Sequence, residues 1–143
     1  MAPLIVLIAV TGLARLAGWI QVDWLDSWPH AVRIGLAAMF LLTASAHFLR
    51  PRRDALIAMV PTRLPAPAGL VTLTGVFEAA GAVGLLIPPV APVAAILLAV
   101  LLLTMFPANV RAAHADLGIK TMPLPLRTLV QVVFLAACVV AAF

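Results

Sequence analysis

Leu64-Pro-Ala-Pro-Ala-Gly-Leu-Val-Thr-Leu-Thr-Gly-Val-Phe-Glu-Ala-Ala-Gly-Ala-Val-Gly-Leu-Leu-Ile87 is a run of apolar and small residues with a single ionisable group, Glu78, near its centre. A helix of about 20 residues crosses a hydrocarbon core of ~30 Å, so the run has the length of a membrane span. An acidic residue at the midpoint of such a helix costs about 2.5 to 3.5 kcal/mol on insertion scales. Groups of this kind therefore face a bundle interior, a partner or a water-filled cavity, and Glu78 is the first candidate for function.

The rest of the chain agrees with a membrane reading. Of 143 residues, 65% are hydrophobic and 10% charged, and mean hydropathy is +1.20. A soluble domain of this size would lack the polar surface to cover its core. Five apolar segments stand out, at about 2–22, 31–49, 66–87, 90–110 and 124–143, each near the length needed to span. The fold class expected is all-α, a polytopic transmembrane helix bundle. The first segment contains Arg15, whose long stem can let its guanidinium snorkel to the nearer headgroups; a helix lying on the membrane surface is the alternative. The N-terminus has no basic residue before Arg15 and so lacks the pattern of a cleaved signal peptide.

Charge placement gives an orientation. With five spans, the N-terminus and the loops around 50–65 and 111–127 share one side, and those loops hold Arg50, Arg52, Arg53, Arg63, Arg111, Lys120 and Arg127. The other side has Arg33, with Arg15 near its end of the first helix. The positive-inside rule then places the N-terminus in the cytoplasm and the C-terminus outside, and Trp19, Trp24 and Trp28 fall at the outer interface. This topology accounts for the net charge of +4 without nucleic acid, since the basic residues form no aromatic-interleaved patch. Ser27 before Pro29 marks a capped helix start, and Pro88, Pro89 and Pro92 force an antiparallel hairpin between the third and fourth spans. Ala55-Leu-Ile-Ala-Met-Val60 predicts a short amphipathic segment on the inner surface.

Polar residues within the spans are the candidate ligand-binding or proton-handling groups: Glu78, His47, Asn109, Thr74, Thr72 and Gln131. Glu78 shares a helical face with Thr74 and Gly81. It reads either as a structural carboxyl bonding a neighbouring helix or as a group that carries a proton or holds a polar substrate head. His47, at the inner end of the second span, reads either as a helix-end histidine bonded to a carbonyl or as a ligand. Asn109 follows Pro107, whose missing N–H frees a carbonyl one turn earlier and can turn Asn109 inward; a helix-capping Asn is the alternative. Thr72, Thr104 and Gln131 lie at similar depth to His47 and Asn109, which suggests a cavity open to the cytoplasmic side with Glu78 at its floor. Gly75, Gly81 and Gly84 with Ala79, Ala80 and Ala82 give the third span small faces for close packing. His30 and His114 fall in loops on this map, and the three histidines lack the i, i+4 spacing of a metal pair, so no metal site is expected. Cys138 is the single cysteine, which rules out a thiol–disulfide relay by the chain's own residues. No nucleotide-binding or serine-hydrolase motif is present.

The ordered set His47-Phe48, Pro51, Met59-Val-Pro61, Leu64-Pro65, Leu70-Val71, Leu73-Thr-Gly-Val76, Glu78, Gly84-Leu-Leu-Ile-Pro88 and Phe106-Pro-Ala-Asn109 resembles the DoxX and DoxX-like family of small bacterial membrane proteins. The resemblance runs from about residue 31 to the C-terminus. It implies a four-helix membrane domain over 31–143, with residues 1–30 an added N-terminal helix and outer loop, in a bacterial inner membrane. The family takes its name from a thiosulfate:quinone oxidoreductase subunit, and a mycobacterial relative is linked to a membrane redox complex. The function this implies is a redox-associated subunit that binds a quinone or similar lipophile, in contact with the bilayer, with a protein partner, and open to oligomer formation. No cofactor motif is visible, so chemistry would need a partner or a bound cofactor. The competing expectations are a non-catalytic scaffold for a partner protein and a small-solute or proton pathway.

Overall fold

The computed structural model describes residues 1–20, 22–114 and 122–143, so Lys120 of the inner loops lies outside the described residues. The described chain is all helical. Its elements are α1 (Ala2–Ile20), a single 3-10 turn (Asp23–Leu25), α2 (Trp28–Phe48), α3 (Arg52–Met59), α4 (Pro67–Leu85), α5 (Ala91–His114) and α6 (Leu124–Ala142). All but α3 and the 3-10 turn are long and apolar enough to cross a membrane, which is compatible with a multi-pass membrane protein.

Helix α2 is the axis of the bundle and touches α1, α4 and α6, while α5 packs between α4 and α6. The core is made where these helices meet: Leu36, Met39 and Phe40 of α2, Leu85 of α4, Leu98 of α5 and Cys138 of α6 are essentially inaccessible. Large apolar side chains on the outside, among them Ile8, Val93, Leu97, Val100, Val132 and Val139, stay exposed. Water would penalise so much exposed apolar surface, whereas lipid tails match it.

Helix starts and ends follow local chemistry. Ser27 Oγ accepts from His30 N (3.4 Å) with Pro29 in the first turn of α2. Five residues carrying Pro88 and Pro89 separate α4 from α5, closed by Ile87 N to Gly84 O (3.1 Å) and Val90 N to Ile87 O (2.9 Å), as the hairpin expectation required. Helix α1 packs along α2, with Leu7, Ala14 and Gly18 buried, and so behaves as a bundle member. Gly35 of α2 permits this, because a Cβ there would stand 2.9 Å from Leu7 O, while Gly18 lets the 3-10 turn fold back on α1, a Cβ there being 2.6 Å from the backbone of Leu25. Arg15 reaches the Trp-rich end of the bundle: its Nη1 donates to Leu25 O (3.0 Å) and Asp26 Oδ1 (2.9 Å), and its guanidinium lies over Trp19 and Trp28. Arg33 donates Nε to Ala141 O (2.8 Å) in the last turn of α6, satisfying a terminal carbonyl and the negative end of that helix dipole.

Two expectations need correction. His30 is in the first turn of α2 and His114 is the last residue of α5, so neither is in a loop, and His30 shares α2 with His47 at the opposite end. Pro107 does not end its helix either: α5 continues through it to His114. A proline costs its helix one hydrogen bond, but neighbouring groups in a membrane bundle can offset the loss. Asn109 is thus an interior helical residue and not a cap.

Candidate functional site

The site is built where the C-terminal end of α2 meets α4, and a missing side chain brings it together. Gly75 lets α4 lie directly on His47, since a Cβ at Gly75 would be 2.5 Å from His47 Cβ and 2.9 Å from its Cγ. His47 is consequently buried, and each of its ring nitrogens faces a polar group. Nδ1 is 2.7 Å from Val71 O and 3.2 Å from Thr74 Oγ1. A carbonyl can only accept, so Nδ1 carries the proton. Thr74 Oγ1 gives its own proton to Leu70 O (3.0 Å) or Val71 O (3.1 Å) and accepts from His47 with a lone pair.

The other ring nitrogen, Nε2, faces Glu78 Oε1 at 3.7 Å, with both side chains about 95% removed from the surface. Glu78 Oε2 is buried and makes no hydrogen bond of normal geometry among the described residues. The nearby Thr43 hydroxyl donates to Phe40 O (3.1 Å) on its own helix. With Nδ1 fixed as a donor, Nε2 is left to face the carboxyl, at a separation longer than a direct hydrogen bond. A pair that holds one proton on Nε2 or on the carboxyl is neutral overall whichever partner carries it, and that is the form a low-dielectric interior tolerates.

Around His47, the loop after α3, the N-terminal half of α4 and the C-terminal half of α5 line a chamber of about 480 Å³. Its wall includes His47, Thr74, Thr104, Asn109, Met59 and Arg63, with no acidic side chain among the described residues. A cavity is therefore present at the end of the bundle where α2 ends and α4 begins, but its floor is His47 and Thr74. Glu78 does not line it and stands one step deeper, behind the imidazole. The steric reason is Gly75: it seats the imidazole between the carboxyl and the open space.

The remaining polar residues separate. Asn109 is on the chamber wall, where its Oδ1 accepts from Arg127 Nη1 (2.7 Å) and its amide N–H groups have no partner among the described residues. Gln131 donates Nε2 to Leu102 O (2.8 Å), tying α6 to α5, and lines a smaller hollow of about 240 Å³ with Arg127 and Asn109. Thr72 points away from the chamber and accepts from Arg53 Nη2 (3.0 Å). The structure thus groups His47, Thr74 and Glu78, places Asn109 across the chamber from them, and sets Thr72 and Gln131 elsewhere.

Arg53 escaped the sequence reading. It donates to His47 O, to Thr72 Oγ1 and to Ala68 O (3.3 Å), and so pins α3 to the end of α2 and the start of α4. Arg50, Arg52 and Arg53 look alike in sequence, and only the turn of α3 decides which one points inward. Another unread feature is Ala66, held in the left-handed region (φ 50°) between Pro65 and Pro67 at the start of α4. The residue before a proline is kept out of the right-handed helical region, which leaves few alternatives.

Among the described residues, no group of three or more His, Cys, Asp or Glu is placed to hold a metal ion. No curated protein and no solved structure matches the chain. The family described as a domain of unknown function, DUF8561, matches residues 36–142, from within α2 to the end of α6, and the chain belongs to it.

Proposed function

We propose that the protein is a membrane subunit that binds a quinone, or a lipophile with a comparable carbonyl head, in the chamber beside His47. The observation that carries this reading is the buried His47–Glu78 pair placed directly behind the wall of a mostly apolar chamber. Ligand sites typically combine a volume of about 300–1,000 Å³ with apolar walls and a few convergent polar groups, and the chamber has that form. Its uncharged donor, the Asn109 amide, suits a carbonyl acceptor. The resemblance to the DoxX family supports the same class of ligand and a redox partner. Reduction of a quinone to a quinol takes two electrons and two protons. The chain has no electron-carrying motif, so the electrons come from a partner protein, while His47 and Glu78 relay protons from the inner aqueous face. The N-terminus then lies in the cytoplasm of a bacterial inner membrane, as the loop arginines require.

The test is native mass spectrometry with lipid extraction of the full chain purified in mild detergent. Wild type is expected to retain a quinone, His47→Ala to lose it, and Glu78→Gln to fold and bind but to fail in supporting quinone turnover with the partner. A wild-type bundle that carries no lipophile while retaining a protein partner would overturn this reading and leave a scaffold.

A further inference from the structure

The chamber is not closed toward the centre of the bundle. Thr104 lies on its wall and also on the wall of a second cavity, a groove of about 450 Å³ that continues along the seam between α4 and α5. The groove is almost wholly apolar, bounded by Phe77, Ala80, Gly81, Leu97, Val100 and, at its far end, Val90. Thr104, the residue at the junction, does not form a polar barrier: its hydroxyl donates to Leu101 O (2.8 Å) on its own helix. The seam is open on the lipid side, where Phe77, Leu97 and Val100 are half exposed or more. At its base the helices are in contact, since a Cβ on Gly81 would meet Leu98 at 2.6 Å and one on Gly84 would meet Ala94 at 2.9 Å. The small residues of α4 thus form a floor, and the larger side chains of α5 and Phe77 form the walls.

We propose that this seam holds the single hydrocarbon chain of the ligand whose head sits at His47, so that the substrate class is a one-tailed amphiphile. The inference rests on the chamber being a ligand site. From Thr104 to Val90 the path along α5 covers about 21 Å at ~1.5 Å per residue, the extended length of about four isoprene units. That is roughly two-thirds of the ~30 Å hydrocarbon core, so a chain starting at the inner chamber ends within the bilayer and any longer tail emerges among the lipids. The continuity of a polar-walled chamber with an apolar groove selects a molecule with a compact head and one tail. A diacyl lipid would leave its second chain outside the seam.

The experiment measures binding of 1,4-naphthoquinones with one and with four isoprene units to the full chain by native mass spectrometry. Leu97→Trp fills the middle of the groove from its lipid-exposed side, and Val139→Trp, on an exposed face of α6, serves as the control. Wild type and Val139→Trp are expected to bind the four-unit quinone ~10-fold or more tightly than the one-unit quinone, only a fraction of what full transfer of the extra methylenes from water would give, because the surrounding micelle also solvates the tail. Leu97→Trp is expected to bring the two within about twofold while leaving the one-unit quinone unchanged. Equal binding of both quinones by wild type would overturn the tail assignment and leave the head site standing. Failure of both quinones to bind would overturn the head site, and the tail assignment with it. Retention of a diacyl phospholipid in place of either quinone, abolished by Leu97→Trp, would show that the seam is a bilayer-lipid site.

Discussion

Gly75 sets the distance between α2 and α4 and with it the geometry of the His47–Glu78 pair. Adding one methyl there places a Cβ 2.5 Å from His47 Cβ, and overpacking of a tight helix contact costs about 1–3 kcal/mol. Gly75→Ala is therefore expected to lower the melting temperature in detergent and to displace the imidazole, with quinone binding weakened even where the bundle survives; unchanged stability and binding would show that the contact is slack. Asn109→Ala removes one neutral donor from the chamber wall. A neutral hydrogen bond is worth ~1 kcal/mol, so a several-fold loss of quinone affinity is expected, with the fold intact by circular dichroism. At this scale the sequence was partly readable. Glu78 and His47 declare themselves because ionisable groups are costly in apolar helices, but nothing in their spacing along the chain shows that they face each other. Their meeting depends on which faces α2 and α4 present, and that depends on Gly75, whose role looks the same as that of Gly81 or Gly84 until the helices are packed.

Helix α3 is tied to the bundle by the hydrogen bonds of Arg53 and by the buried Met59. Arg53 bridges the last turn of α2 and the first turns of α4, so its loss frees α3 without disturbing the five long helices. Arg53→Ala is expected to raise amide exchange across 52–59 and to loosen the inner wall of the chamber, with little change in α5 or α6. Exchange rates that remain as in wild type would mean that the apolar face of α3, through Met59, holds it in place. Element positions were the most legible part of the sequence, because apolar runs near twenty residues and proline pairs are strong signals. The ends were less legible: α5 passes through Pro107, since the penalty that ends a helix in water is offset by neighbouring groups in a bundle. Which arginine of the inner loop turns inward was not legible at all, as it follows from the rotation of a two-turn helix.

For the whole molecule, five helices long and apolar enough to span would, crossing in turn, put the two ends of the chain on opposite faces. Cys138 is buried in the bundle, so it leaves a quiet background for thiol labelling. A cysteine placed at Arg52 is expected to react with a membrane-impermeant maleimide only after the cytoplasmic face is exposed, and one at Trp19 from the outer face of intact cells. The reverse pattern would invert the topology and place the chamber on the outside. The bundle, the hairpin and the charge bias could be read from composition and punctuation. The chamber and the seam could not, because they are spaces between helices whose depth is set by glycines and whose walls come from three segments distant in the chain.

The most direct measurement is site mapping with a photoreactive azido-quinone, followed by mass spectrometry of the labelled peptides from the full chain in its membrane. The account predicts labels on Met59 to Thr74 and on Thr104 to Asn109, competed by unlabelled quinone and lost in His47→Ala. Labels scattered over the lipid-facing sides of α1 and α6, unaffected by competitor or by that substitution, would contradict it.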